Sequence, residues 1–117
     1  MISNGNLCDM NFARTRVGGD CELLRQIVEI VHADIPEIVT RLRSAVAFED
    51  RKELSRAVHS LQGMLATFNA QAVLDALKPL AEMAQAGDFS ASGEALREFE
   101  EKILRFDGEL SDELAHI

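Results

Sequence analysis

Residues 21–47 read CELLRQIVEIVHADIPEIVTRLRSAVA, and their spacing decides the fold. Leu24, Val28, Val31, Ile35, Ile38, Leu42 and Val46 recur at intervals of three and four, the period of one buried helix face. The pattern keeps phase straight through Pro36. It therefore predicts one long helix, roughly Cys21 to Ala47, kinked at the proline, and not two helices joined by a turn. Asp20 stands where an N-cap belongs, because its short carboxylate can accept a free amide of the first turn. Upstream, a short helix is expected around Cys8 to Arg16, closed by Gly18-Gly19.

Working outward in the other direction, Asp50 followed by Glu53 resembles a capping box and opens a third helix. Its inward stripe is Leu54, Val58, Leu61, Leu65 and Phe68, and Asn69 tolerates the left-handed conformation that ends helices. A fourth helix runs from about Gln71 to Ala86 with Val73, Leu74, Leu77, Leu80 and Ala81 inward. It contains Pro79, where a local break in hydrogen bonding is expected, and Gly87 closes it. Ser90 or Ser92 is expected to cap the last helix, whose stripe is Leu96, Phe99, Ile103, Phe106, Leu110 and Leu114. No segment alternates in the manner of a strand. The fold class is all-α: an antiparallel up-down four-helix bundle with a short extra N-terminal helix.

The 117 residues are the size of one domain. Hydrophobic residues make up 47% and charged ones 27%, the balance of a folded globular chain. No apolar run approaches the ~20 residues that cross a bilayer, so no membrane insertion is expected. Twelve Lys and Arg against twenty Asp and Glu leave a net charge of −8, which argues against nucleic acid and anionic lipid as partners. Cys8 and Cys21 are too few for a disulfide scaffold and are not spaced as a zinc knuckle. A reduced, cytoplasmic protein is expected.

Three histidines are candidates for chemistry. His116 is penultimate, where chains fray, and His32 follows the core residue Val31 at a helix edge, where a ring usually just packs. Glu29-x-x-His32 and Glu113-x-x-His116 match the spacing of di-iron bundles. At ~100° per residue, however, Glu29 lies roughly 140° from its helix's apolar stripe and faces solvent. No metal site is expected. His59 also lies roughly 140° from its stripe, but in different company. Lys52, Ser55, Arg56, Gln62, Gly63 and Ala66 share its outward face. A glycine inside a helix costs ~1 kcal/mol against alanine, and this one is a single turn from an exposed histidine. The pair points to a surface shaped for close approach by another protein. A neutral imidazole there offers a ring nitrogen as a nucleophile. No Ser or Cys beside it completes a hydrolase arrangement, and no glycine-rich phosphate loop occurs.

Ala57-Val58-His59-Ser60-Leu61-Gln62-Gly63 resembles the signature of histidine-containing phosphotransfer (HPt) domains: Ala-His or Ala-x-His, then x-Leu-Lys-Gly, a small-residue run and a Gly-Ala pair. Phe12-Ala13-Arg14 through Val17-Gly18-Gly19-Asp20 resembles that family's opening segment, and the Pro36 helix and the Gly87-Asp88 stop fall where the family has theirs. The resemblance spans about residues 7–112 of a single domain, 1–117. It implies a four-helix phosphorelay module in which His59 accepts a phosphoryl group from a receiver-domain aspartyl phosphate and passes it to another receiver. It further implies no cofactor of the module's own, since the receiver brings Mg²⁺ and most catalytic groups. The module is then a carrier without autonomous catalysis, monomeric and either free-standing or the cytoplasmic end of a hybrid sensor histidine kinase.

On this resemblance Lys52, Ser55, Gly63 and Ala66 belong to the receiver-docking face, with Ala66 and the outward side of the third and fourth helices making the apolar contact around the site, and Gln62 and Arg56 neighbour the phosphoryl group. Two positions depart from the family pattern. Gln62 stands where lysine is usual, so it can donate a hydrogen bond but supplies no charge. Asn69-Ala70 replaces Gly-Ala, and asparagine also accepts the left-handed turn. The Gln62 departure leaves open an alternative, an HPt-like domain that docks a receiver or kinase without carrying phosphate.

Overall fold

Three aspartates start three helices. In the computed structural model, which describes residues 7–117, the Asp9, Asp20 and Asp50 carboxylates accept the amides of Phe12, Leu23 and Glu53 at 3.0–3.1 Å. Each satisfies one of the free N–H groups that every helix start exposes. The helices so begun are α1 (Met10–Arg16), α2 (Cys21–Ala47) and α3 (Arg51–Thr67); α4 (Gln71–Ala86) and α5 (Ser92–Leu114) follow. As expected from its spacing, α2 is continuous through Pro36, and α4 is continuous through Pro79.

Local details differ from the sequence reading where a nearer partner wins. α1 begins at Met10, not Cys8, because the Asp9 side chain caps it there. Only half of the capping box forms at α3: the Glu53 carboxylate turns to Arg56 at 3.1 Å and the Asp50 amide bonds the Ala45 carbonyl. Neither serine caps α5. Ser90 gives its amide to Asp88, a bond that holds the Asp88 carboxyl below the usual range, and Ser92 is already the first helical residue. His116 does not hang free; a ring nitrogen lies 2.8 Å from the Asp112 carbonyl.

Asn69 (φ 49°) and Gly87 (φ 72°) take the left-handed conformations that stop α3 and α4. The reversals are therefore short, and α2, α3, α4 and α5 run up and down in chain order, with α5 closing back on α2. Leu24, Val28, Ile35, Leu42, Leu54, Leu61, Leu65, Leu77, Leu80, Phe99, Ile103 and Phe106 fill the centre. Phe68 meets Phe106 edge to face, with ring centroids 5.7 Å apart, where α3 ends against α5. Leu74 and Ala81, expected inward, are only partly buried, while Met83 and Ala84 are buried instead. Polar ties between α2 and α5 run along the outside: His32 to Asp107 at 2.6 Å, and Arg43 to both oxygens of Glu100 at 2.7 and 2.8 Å.

The segment before α1 is fastened to the bundle's lower end. The Leu7 and Cys8 amides donate to the Glu109 carboxylate, and the Asp9 amide reaches the Phe68 carbonyl at 2.9 Å. Burial, a hydrogen bond to Glu109 and the charges of Glu109 and Glu113 push the Cys8 thiol up to about 12. Its folded value thus lies above the ordinary 9.0, so the folded protein keeps a proton that the unfolded chain loses. Stability from this site is intact below pH ~9 and should fall as pH rises toward 12, by about 2 kcal/mol near pH ~10.5. Urea midpoints at neutral and alkaline pH should show a steeper decline for the wild type than for Cys8→Ala; equal declines would place the thiol in a solvated environment.

Candidate functional site

The rotational phase of α3 builds the site. With Leu54, Ala57, Val58, Leu61 and Leu65 turned inward, His59 must face out, one turn from Ser55 and Arg56 on one side and from Gln62 and Gly63 on the other. Across from it, α4 presents Ala81, Ala84 and Gln85. The small side chains of Ala81 and Ala84 leave a shallow groove of about 180 Å³ between the helices, with Ser55, His59 and Gln62 on its α3 wall. That volume is below the ~300–1,000 Å³ of small-molecule pockets, and the groove is open enough to admit a group presented by another molecule.

His59 differs from the other histidines in what holds its ring. His32 has Asp107 and His116 has the Asp112 carbonyl. The His59 ring has no hydrogen-bond partner among the described residues, and it lies exposed in the groove. Its nitrogens are therefore available for bond formation. A larger hollow of about 550 Å³ lies at the opposite end, lined by Cys8, Asp9, Met10, Asn11, Glu109, Asp112 and Glu113. Its carboxylates would repel an anion, and its thiol is held protonated, so it offers no nucleophile. Among the described residues no three His, Cys, Asp or Glu side chains gather as a metal site. Glu29 faces solvent beside Arg25, and His32 turns to Asp107, so that Glu-x-x-His spacing does not converge on one point.

The chain matches the family model described as Hpt domain over residues 26–116. It belongs to the Hpt family. Hpt domains are histidine phosphotransfer modules of phosphorelays, phosphocarriers that partner with the receiver domains of response regulators. Among solved structures, the chain is similar to histidine-containing phosphotransfer protein B from Pseudomonas aeruginosa, with 16% sequence identity over 95% of this chain and 96% of that one, and a TM-score of 0.84. At that identity the likeness is one of fold. No curated protein sequence matches the chain. No helix of the described residues is long and apolar enough to cross a membrane.

Within this Hpt domain the site residues expected from sequence divide into two sets. Ser55, His59 and Gln62 come together in the groove. Lys52, Arg56, Gly63 and Ala66 are exposed on the same helix but line its approaches, not the groove itself. Arg56 is tied to Glu53 at 3.1 Å and is not turned to His59 by any hydrogen bond. Of the α4 wall only the outward side of that helix was expected, without named residues: Ala81 reads as core, and nothing local marks Ala84 or Gln85. Arg51 was also missed. Its guanidinium crosses from the first turn of α3 to donate to the Ala84 and Gln85 carbonyls at the end of α4.

Gly63 is exposed, and a Cβ built on it meets nothing within 4 Å. Gly63→Ala should therefore stabilise the fold by up to ~1 kcal/mol, and Gly63→Gln by somewhat less. If Gly63 keeps space for a receiver to reach His59, phosphotransfer should move the opposite way, falling modestly with alanine and severely with glutamine, because the longer side chain fills that space. Melting temperature and transfer rate measured on both variants check this. A stabler protein with an unchanged rate would mean that the partner approaches from another side.

Proposed function

We propose that His59 is the residue on which this Hpt domain carries its phosphoryl group, received from the aspartyl phosphate of one receiver domain and passed to another. The observation that supports this most is the free, exposed imidazole in a groove between two helices, beside small side chains that leave its nitrogens open to a partner. The lone pair of a neutral ring nitrogen attacks phosphorus, the bond from phosphorus to the aspartyl oxygen breaks, and the carboxylate leaves with that electron pair. The ring, transiently cationic, releases the proton of its other nitrogen to solvent. Passing the group on reverses these steps on a second aspartate.

Phosphoryl transfer asks mainly for positioning and charge neutralisation. On the present reading the domain supplies the nucleophile and a docking face of Lys52, Ser55, Gly63 and Ala66, while the receiver supplies Mg²⁺ and most of the catalytic groups. It needs no cofactor of its own and acts as a monomeric, single-domain carrier without autonomous catalysis. The cytoplasm is its proposed location, whether it works free-standing or joined to a hybrid sensor kinase. Gln62 and Arg56 would steady the phosphorylated ring, the first by its amide and the second by charge once released from Glu53; an exposed pair of that kind holds with only ~0–1 kcal/mol.

Incubation with a phosphorylated receiver should place acid-labile phosphate on the wild type and none on His59→Ala, whose stability should change by no more than ~0.5 kcal/mol, because the side chain lies outside the core. Label retained by His59→Ala would overturn the assignment, and no label on the wild type would favour a docking domain that carries no phosphate. Gln62→Lys should shift the transfer equilibrium toward phosphohistidine by about fivefold, the effect of ~1 kcal/mol from one cation beside a dianion at a solvated surface, and the shift should shrink at high salt. An unchanged equilibrium at low salt would remove Gln62 from the phosphoryl group's surroundings.

A further inference from the structure

Arg51 sits two turns before His59 on α3, ~12 Å along the helix axis, too far to act on the imidazole directly. Its reach is sideways. The last carbonyls of a helix have no partner within it, and at the end of α4 they are taken by two different donors. The Gly87 amide takes Met83, while the Arg51 guanidinium takes Ala84 through Nε at 3.0 Å and Gln85 through Nη2. The fit is close: a Cβ added at Gly87 would lie 3.2 Å from Cδ and Nη1 of Arg51, at a backbone φ of +72° that already favours glycine. The two residues whose carbonyls Arg51 binds are two of the three, with Ala81, that form the α4 wall of the groove opposite His59.

The groove has a second peculiarity. Its polar side chains are Ser55, His59, Gln62 and Gln85, none of them a fixed cation. A phosphoryl group on His59 would bring close to two negative charges and three strong acceptor oxygens into this space. Neutral donors serve such a group well only if they are held in place before it arrives, since a mobile amide must be ordered at the moment of need. Gln62 is held by the middle of α3. Gln85 lies in the final turn of α4, where helices fray, and Arg51 binds the Ala84 and Gln85 carbonyls of that turn directly.

We propose that Arg51 is a positioning residue for phosphotransfer, and that the group it positions is Gln85, whose side-chain amide donates from the α4 wall to the phosphoryl group on His59. This rests on His59 being the phosphorylated residue. The guanidinium thus contributes to a charge-poor site without entering it, by clamping the helix end that carries the donor.

Arg51→Met, Gln85→Ala and the double variant test this against wild type, with each protein phosphorylated by phosphoramidate and the loss of phosphohistidine followed by phosphorus NMR. Each single substitution should shorten the phosphohistidine lifetime by about tenfold, the size expected at the lower end for one lost hydrogen bond to a charged group. The double variant should be no shorter-lived than either single one. Arg51→Met should lower the melting temperature equally in both backgrounds, which separates clamping from general stability, and Arg51→Lys, keeping one donor, should recover part of the lifetime. Multiplying effects, or an unchanged lifetime in Gln85→Ala, would overturn the proposal, and the latter does so even if Arg51→Met fails to fold. Wild-type label on His59 with unaffected variants would sink this inference alone, whereas wild-type label elsewhere would sink the assignment of His59 first.

Discussion

The rotational phase of α3 is the constraint on which the site depends, because a helix turns ~100° per residue and Leu54, Val58, Leu61 and Leu65 leave only one face for everything else. Leu54, Leu61 and Leu65 are fully buried, and truncating any one of them would cost ~2–5 kcal/mol. Turning α3 by a single residue would withdraw this stripe from the core and drive His59 and Gln62 into it, where nothing is placed to pair with them. No hydrogen bond on the outer face competes with that difference. His59 is therefore presented by the core's demands, without any hydrogen bond of its own among the described residues, which is why it faces outward and yet is free at its nitrogens.

The opposite wall of the groove depends on a different kind of interaction. Once α3 is fixed, α4 comes back beside it through the Asn69 turn, and its own stripe of Val73, Leu77 and Leu80 sets its phase. Hydrophobic burial is non-directional, and in the last turn of α4 it holds Met83 and Ala84 but leaves Gln85 and Ala86 exposed. Arg51 adds direction there, by two hydrogen bonds to backbone carbonyls. The core thus sets the groove's position and a polar clamp sets its edge.

This division explains what could be read from the amino-acid sequence. Helices α2, α3 and α4 were legible almost to the residue, since their limits are written locally in Asp20, Asp50, Asn69 and Gly87 and their faces in apolar spacing. The start of α5 was not legible. Ser90 and Ser92 both look like caps, but Asp88 captures the Ser90 amide first, and two candidates in one loop are settled only by its geometry. His59, Gln62 and Gly63 were legible as an outward-facing group because they share one helix. Their α4 counterparts were expected only as an outward helix side, because Ala81, Ala84 and Gln85 gain individual meaning only from the pairing of two helices. The clamp from Arg51 spans 33 positions in the chain, and the tie from His32 to Asp107 spans 75. Neither leaves a periodic or local trace.

The neutral lining of the groove also fits the work of a carrier. A group that must be both accepted and surrendered cannot be bound much more tightly on the carrier than on the aspartates at either end, since each 1.4 kcal/mol of preference costs about tenfold in one direction of flow. A lysine in the groove would add a full charge to the phosphorylated state and to nothing else in the cycle. Amides add less. They orient the phosphoryl oxygens by direction of donation, with modest net energy per bond. The charges that this face does carry, Lys52 and Arg56, stand outside the groove, where Lys52 can attract an acidic partner and Arg56 reaches the phosphoryl group only by leaving Glu53. If preorganised neutral donors take the place of a central cation, they trade tightness for reversibility, and the placement of the α4 end then matters more than it would beside a lysine.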